Sequence, residues 1–294
     1  MAGQLKEVRN RIKSVISTQQ ITKAMKMVSA AKFKKAQDAI VQMRPYALKL
    51  SDLLQNISAN SDSEVTAQYT AERPVKNVLI VLITSDKGLC GAFNSTMIKM
   101  ARQRLAHFSG SAKVSIIAIG KKGFDAYRRQ MEVNNDFVAI GSKPKFDNAA
   151  SAADFIMKAY ANKQYDRVEV IYSRFKNAAS QVFTLDQYLP VAKPEKKETK
   201  GEKKGIVNDF VFEPDKDSLI LELVPKILKT QFFRYLLESN ASEHGARMTA
   251  MDKASDNANE ILKDLKIAYN RARQAAITTE LTEIVSGAAA LKSA

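Results

Sequence analysis

The chain has little that bends or crosslinks it. In 294 residues there are 11 glycines, 7 prolines, 1 cysteine, 2 histidines and no tryptophan. Glycine and proline together reach roughly half their usual combined share. So few chain breakers argue for long uninterrupted elements and against a β-sandwich, a propeller or a collagen-like chain. A single cysteine, Cys90, excludes a disulfide scaffold and any multi-thiolate zinc site. No stretch approaches the ~18 apolar residues a membrane-spanning helix needs. Acidic residues are also scarce: 31 Asp and Glu face 46 Lys and Arg, a formal net charge of +15. With 45% hydrophobic residues the chain can still build a core.

The breakers and the charge are unevenly placed. No glycine lies between Gly3 and Gly88, and no proline follows Pro225. Residues 1–50 carry 11 Lys and Arg against 2 acids, a net of +9. The pattern reads as a helical arm, an ordinary globular middle and a second helical arm. In the first arm Leu5, Val8, Ile12 and Val15 step by three and four, the spacing of a coiled-coil seam. The stripe turns polar at Thr18, Gln19 and Thr22, then resumes with Met25, Val28, Phe33, Ala36, Ile40, Met43, Tyr46 and Leu50. In the second arm Ala258, Ile261, Leu265, Ala268, Ala272, Ala275 and Thr279 step likewise. Pro225 is placed as its first helical residue, and Pro45 is expected only to kink the first arm. Each arm needs a partner for its stripe, and an antiparallel pair of the two is the simplest solution. Separate bundles or packing onto a second copy remain open on pattern alone.

The middle alternates strand and helix. Val78–Ile83, Val114–Ile119 and Val168–Tyr172 are apolar β-rich runs suited to strands buried on both faces of a parallel sheet. Helical stretches near 94–107, 122–131 and 148–162 lie between and after them, so an α/β layered domain is expected. Phe137–Ile140 is a candidate short strand and Gln181–Tyr188 a candidate edge strand. Residues 193–205 hold six Lys and three Glu with no apolar residue, which reads as a solvated loop.

No catalytic constellation emerges. The first strand runs into Ser85-Asp86-Lys87-Gly88-Leu89-Cys90-Gly91, a glycine-bearing turn with the spacing of neither a dinucleotide fingerprint nor a phosphate loop. Cys90 reads as a small buried thiol by default, because neither His107 nor His244 can be placed beside it as a base. Asp252, Asp256 and Asp264 read as a solvated helix face. No metal, cofactor or catalytic residue is expected. Pattern alone leaves an interaction element, a basic nucleic-acid-binding coiled coil or scaffold, and a membrane-surface helix protein. No aromatic platform accompanies the basic arm: Phe33 is its only aromatic before Tyr46.

Two segments carry a more specific signal. One is ITKAMKMVSAAK at 21–32. The other is EHGARMTAM at 243–251, continued by YNRARQAAITTEL at 269–281 and EIVSGA at 283–288. With the turn at 85–91 and Phe212-Glu213-Pro214, these resemble the gamma subunit of F-type ATP synthases, the central rotor stalk. The resemblance runs in order along essentially the whole chain. It implies an antiparallel coiled coil of residues 1–60 and 210–294, a Rossmann-like α/β domain over 74–192, and a flexible charged loop at 193–209.

The resemblance also implies partners and contact residues. The partners are the alpha and beta subunits of the catalytic ring, the epsilon subunit and the c ring, with one copy of this chain per complex and no nucleic acid. Contacts to beta-subunit loops are expected from Met25, Lys26, Lys87, Cys90, Glu243, Arg247, Arg273, Gln274 and Thr278. Contacts to epsilon and the c ring are expected from Phe210, Phe212 and Glu213. The expected role is a non-catalytic rotor coupling proton or sodium flow to ATP synthesis or hydrolysis. The start at Met1-Ala2 without a presequence adds an expected place: the cytoplasmic side of a bacterial inner membrane, as a peripheral subunit.

Overall fold

The computed structural model describes residues 2–60, 68–71, 73–178, 180–191 and 216–292. In chain order these form helix α1 (Ala2–Asn60), strand β1 (Asn77–Ile83), α2 (Phe93–Phe108), β2 (Lys113–Ile119), α3 (Lys121–Tyr127), β3 (Val133–Asn134), a 3₁₀ turn (Val138–Gly141), α4 (Phe146–Ala161), β4 (Arg167–Phe175), β5 (Gln181–Leu189) and α5 (Lys216–Lys292). Two compact units result: residues 1–30 with 247–294, and residues 31–246.

The larger unit is built on a five-stranded sheet in the order β3-β2-β1-β4-β5. β1 pairs in parallel with β2 and β4, and β5 closes the edge antiparallel to β4. Val78 to Leu82 are fully buried, as an apolar run on a central strand requires. Each such side chain contributes about 1.5–3 kcal/mol on burial. On α4, Ala149, Ala152, Ala153, Ile156 and Tyr160 form the buried face. Gly120 (φ +93°) allows the turn after β2, because a Cβ there would stand 2.1 Å from the Thr84 carbonyl oxygen.

Two expectations change here. Val138–Gly141 is a 3₁₀ turn, and the short strand is Val133–Asn134, paired with Ile116 and Ile117. A four-residue apolar run cannot distinguish the two by periodicity. Helix α5 begins at Lys216, so Pro225 lies inside it.

One ion cluster is built around an enclosed carboxylate. Glu169 on β4 is 1% exposed. It accepts hydrogen bonds from Arg104 Nε and Nη2, both 2.6 Å, and Arg167 Nε lies 2.6 Å from its Oε1. The Arg104 guanidinium also sits 4.5 Å above the Phe108 ring. Bidentate geometry with a second cation offsets the cost of enclosing this carboxylate.

The buried positions of α1 follow a heptad without a slip: 5, 8, 12, 15, 19, 22, 26, 29, 33, 36, 40, 43, 47 and 50 are each buried or half-buried. The seam therefore keeps its phase through Gln19, Thr22, Lys26 and Ser29, while Val28 (57% exposed) and Tyr46 (51%) lie outside it. In the larger unit Ala36 and Ile40 of this helix pack with Leu237 and Ala241 of α5 and with Phe175.

In the smaller unit the seam of α5 is Met251, Ser255, Ala258, Leu262, Leu265, Tyr269, Ala272, Ala276 and Thr279. Leu262, Tyr269 and Ala276 take the places expected of Ile261, Ala268 and Ala275. Both sets satisfy three-four spacing from Ala258, and alanine on either side left the sequence indifferent. Three cross-links set the pairing: Gln19 donates to Asn259, the Thr22 and Ser255 hydroxyls are 2.8 Å apart, and Lys26 Nζ lies 2.5 Å from Asp252 Oδ1. As the residue number rises on α1 its partner's falls, so the pair is antiparallel. Asp252 belongs to this seam, not to a freely solvated face.

Candidate partner-binding surfaces

The register just described has a geometric consequence. Carried to the start of α1, it places Ala2 opposite a residue near 276 of α5. About 17 further residues of α5, some 25 Å of helix, have no residue of α1 opposite them. Every described side chain from Glu280 onward is exposed. Among them are Leu281 (59%), Ile284 (70%) and Leu291 (82%), with Ile277 (49%) just before. Residues 277, 281, 284, 288 and 291 step by four and three, so they form one uncovered stripe. A coherent apolar stripe on a single helix marks an interaction surface.

Beside this stripe stand Arg273, Gln274 and Thr278, all exposed. The Thr278 hydroxyl donates to the Gln274 carbonyl at 3.0 Å, and Thr279 and Thr282 bond back to their own helix in the same way. Of these, Thr278 and Thr282 are exposed, and all three have their hydroxyl protons already committed. Arg273 offers a planar fork of donors.

Met25 and Lys26 are half-buried, and Lys26 is held by Asp252. About half of each side chain remains exposed (43% and 49%), so the pair is worth at most ~1 kcal/mol.

In the larger unit the turn after β1 is a compact network. Asn94 at the start of α2 accepts from the Ser85 backbone N–H at 3.0 Å. Its Nδ2 lies 3.2 Å from Cys90 Sγ, and Ser85 Oγ donates to the Lys87 carbonyl at 2.6 Å. Cys90 is 1% exposed and faces inward, while Lys87 and Leu89 face outward, Leu89 being 65% exposed. Leu89 has φ +63°, a left-handed conformation that costs a non-glycine residue about 1 kcal/mol or more. The network around Cys90 is what holds Leu89 there. Sequence reading gave Leu89 no role.

The segment 243–247 is buried. Glu243 is 8% exposed and Arg247 9%. Every residue of α5 from 235 to 246 is buried, which polar residues can tolerate only with internal partners. Asn240 donates to the Gly141 carbonyl at 3.0 Å and Ser242 to that of Ser173 at 3.2 Å. Gly245 lets another chain segment approach, because a Cβ there would meet the Ala178 carbonyl oxygen at 3.0 Å. A mid-helix glycine among polar residues was the available sign that this stretch is enclosed. Phe210, Phe212, Glu213 and the loop at 193–209 lie outside the described residues.

Among the described residues no cluster of His, Cys, Asp and Glu could hold a metal ion, and no helix is long and apolar enough to cross a membrane.

Comparison with known proteins adds an independent line. The family model described as ATP synthase matches residues 4–291. The ATP synthase gamma chain of Flavobacterium johnsoniae is 53% identical over 287 residues, covering 98% of each chain. That of Cytophaga hutchinsonii is 51% identical over 298 residues, again covering 98% of each. Among solved structures, a chain from the central stalk and c-ring of Tetrahymena thermophila mitochondrial ATP synthase is similar with a TM-score of 0.56 and 26% identity. That match covers 80% of this chain and 99% of the other. A chain of the Euglena gracilis mitochondrial ATP synthase shares the fold with a TM-score of 0.64 at 18% identity, covering 99% of this chain and 95% of its own. By pattern, by fold and by identity along its length, the chain belongs to the ATP synthase gamma-chain family.

Proposed function

We propose that this chain is the central rotor shaft of an F-type ATP synthase, turning inside a ring of alpha and beta subunits. It would couple transmembrane proton or sodium flow to ATP synthesis or hydrolysis without catalysing a reaction itself. The observation that carries the reading is the uncovered apolar stripe on the last turns of α5. Apolar contact is non-directional. A helix sheathed by an apolar collar can turn through many angles without breaking a fixed set of hydrogen bonds. The polar groups beside it suit the opposite task. Arg273, Gln274 and Thr278 can exchange charge-assisted and neutral hydrogen bonds with successive beta-subunit loops. Lys87 is a further outward cation for those loops. Cys90, Glu243 and Arg247 act from within, by fixing the shape of the surfaces around them, Lys26 acts at the seam and Met25 beside it.

In this reading residues 1–60 and 210–294 make the stalk and 74–192 the globular domain. The epsilon subunit and the c ring are the remaining partners, and the chain is peripheral on the cytoplasmic side of a bacterial inner membrane. The basic nucleic-acid-binding alternative finds no support among the relatives. The test is reconstitution. The purified chain is expected to hydrolyse no ATP alone, and to restore rotary turnover when mixed with alpha and beta subunits. Hydrolysis by the chain alone, or turnover by alpha and beta that is indifferent to it, would overturn the assignment.

A further inference from the structure

The larger unit contains a cleft of about 600 Å³. Its walls come from α1, β4, β5 and α5, and four cations line it: Arg44, Arg174, Lys176 and Arg234. Two acids oppose them. Asp186 is occupied, accepting from the Tyr172 hydroxyl at 2.9 Å. Glu238 is 5% exposed, and its Oε2 accepts no hydrogen bond from the protein. Arg234 Nε is likewise buried and donates to no protein group. The cleft thus holds two buried polar atoms without protein partners and a surplus of positive charge. Burial pushes the Glu238 carboxyl above the usual range, against the opposing pull of Arg234, Arg44, Arg174 and a backbone hydrogen bond with Phe175.

Such a lining selects its ligand by chemistry. Guanidinium forks match phosphate oxygens in pairs, and several around one cleft suit a multiply charged anion better than a single carboxylate. The volume lies in the range of small-molecule sites. We infer that this cleft is a binding site for a small phosphate-bearing anion, held by the donors of Arg174, Arg234 and Arg44. A free inorganic anion and the phosphate tail of a nucleotide share that chemistry. The occupancy it describes is separate from the rotor role, and its test uses the isolated full chain, so either can fail alone.

The experiment is calorimetric titration of the full chain with pyrophosphate, inorganic phosphate and ADP at fixed ionic strength. Saturable one-to-one binding of at least one of them is expected, and the tightest of the three identifies the source. Arg174→Gln, exposed on its strand, is expected to weaken binding about tenfold. Arg234→Gln should do the same, and circular dichroism would confirm that each variant is folded. Lys99→Gln, on α2 outside the cleft, removes the same charge and should leave binding unchanged. Absence of saturation with all three anions would overturn the inference. So would equal weakening by Lys99→Gln and Arg174→Gln, which would mean diffuse attraction to a basic protein.

Discussion

The hydroxyl pair in the antiparallel seam makes a prediction that depends on counting protons. Thr22 Oγ1 lies 3.0 Å from the Gln19 carbonyl oxygen and 2.8 Å from Ser255 Oγ, which lies 2.9 Å from the Met251 carbonyl oxygen. Three contacts are drawn, but two hydroxyls supply only two protons. Only two of the three can be hydrogen bonds at any moment. Thr22→Val removes one proton, leaving Ser255 free to donate to Met251, so no buried donor is orphaned. Its cost is therefore that of one net hydrogen bond, about 1 kcal/mol, and not the ~2–3 kcal/mol of a stranded polar group. Ser255→Ala mirrors it, with Thr22 donating to Gln19. The double variant loses both bonds, so the two costs should simply add. Residues in direct contact usually couple by 0.5–3 kcal/mol. Here the expected coupling is about zero, within ~0.5 kcal/mol. Urea unfolding of the four proteins, followed by helical circular dichroism and linear extrapolation, measures it. A coupling of about 1 kcal/mol would mean all three contacts count together, and the proton argument would be wrong.

Three further outcomes follow from the same structure. Arg104→Met should cost about 2–3 kcal/mol, because Arg167 still compensates the enclosed Glu169; a thermal midpoint unchanged within error would refute it. Glu238→Gln tests the raised carboxyl: the native state holds a proton that the unfolded state gives up, so wild-type stability should fall as pH rises from the unfolded value of 4.5 through the raised one. The variant should lack that fall, and denaturation curves that stay parallel at every pH would refute the shift. Ending the chain after Ala275 should lower stability by less than about 1 kcal/mol, since the side chains removed are largely exposed; a large drop in the urea midpoint would mean that segment packs on the rest.

What the sequence revealed, and what it concealed, has a common physical cause. Apolar periodicity exposed α1 up to Val15, again at Phe33, Ala36, Ile40, Met43 and Leu50, and all the main strands, because those positions are both geometrically and chemically hydrophobic. Between Gln19 and Ser29 geometry and chemistry separate. The seam keeps its heptad phase through Gln19, Thr22, Lys26 and Ser29, so a search for apolar residues chose Met25 and Val28 instead. Alanine at 268, 272, 275 and 276 hid the true phase of α5 for the opposite reason, since every choice looked acceptable. The buried state of Glu243 and Arg247 was illegible because the motif reads as a charged surface face. The cleft around Glu238 draws on four elements and leaves no local pattern at all. Cys90 carried both readings, a default buried thiol and a contact residue, and its 1% exposure places it inside the turn.

The register of the two terminal helices also determines where the chain can change length. Within the paired stretch an inserted residue on α1 would move every later position of that helix by about 100°. Gln19, Thr22 and Lys26 would then leave Asn259, Ser255 and Asp252. Only whole heptads added to both helices at facing positions would keep all three cross-links. Beyond Thr279, the last half-buried position of the seam, the constraint disappears. Lengthening or shortening the chain there changes how far the unpaired helix extends and leaves its own pairing intact. Reach and alignment are thus written in different parts of one helix and can be altered independently.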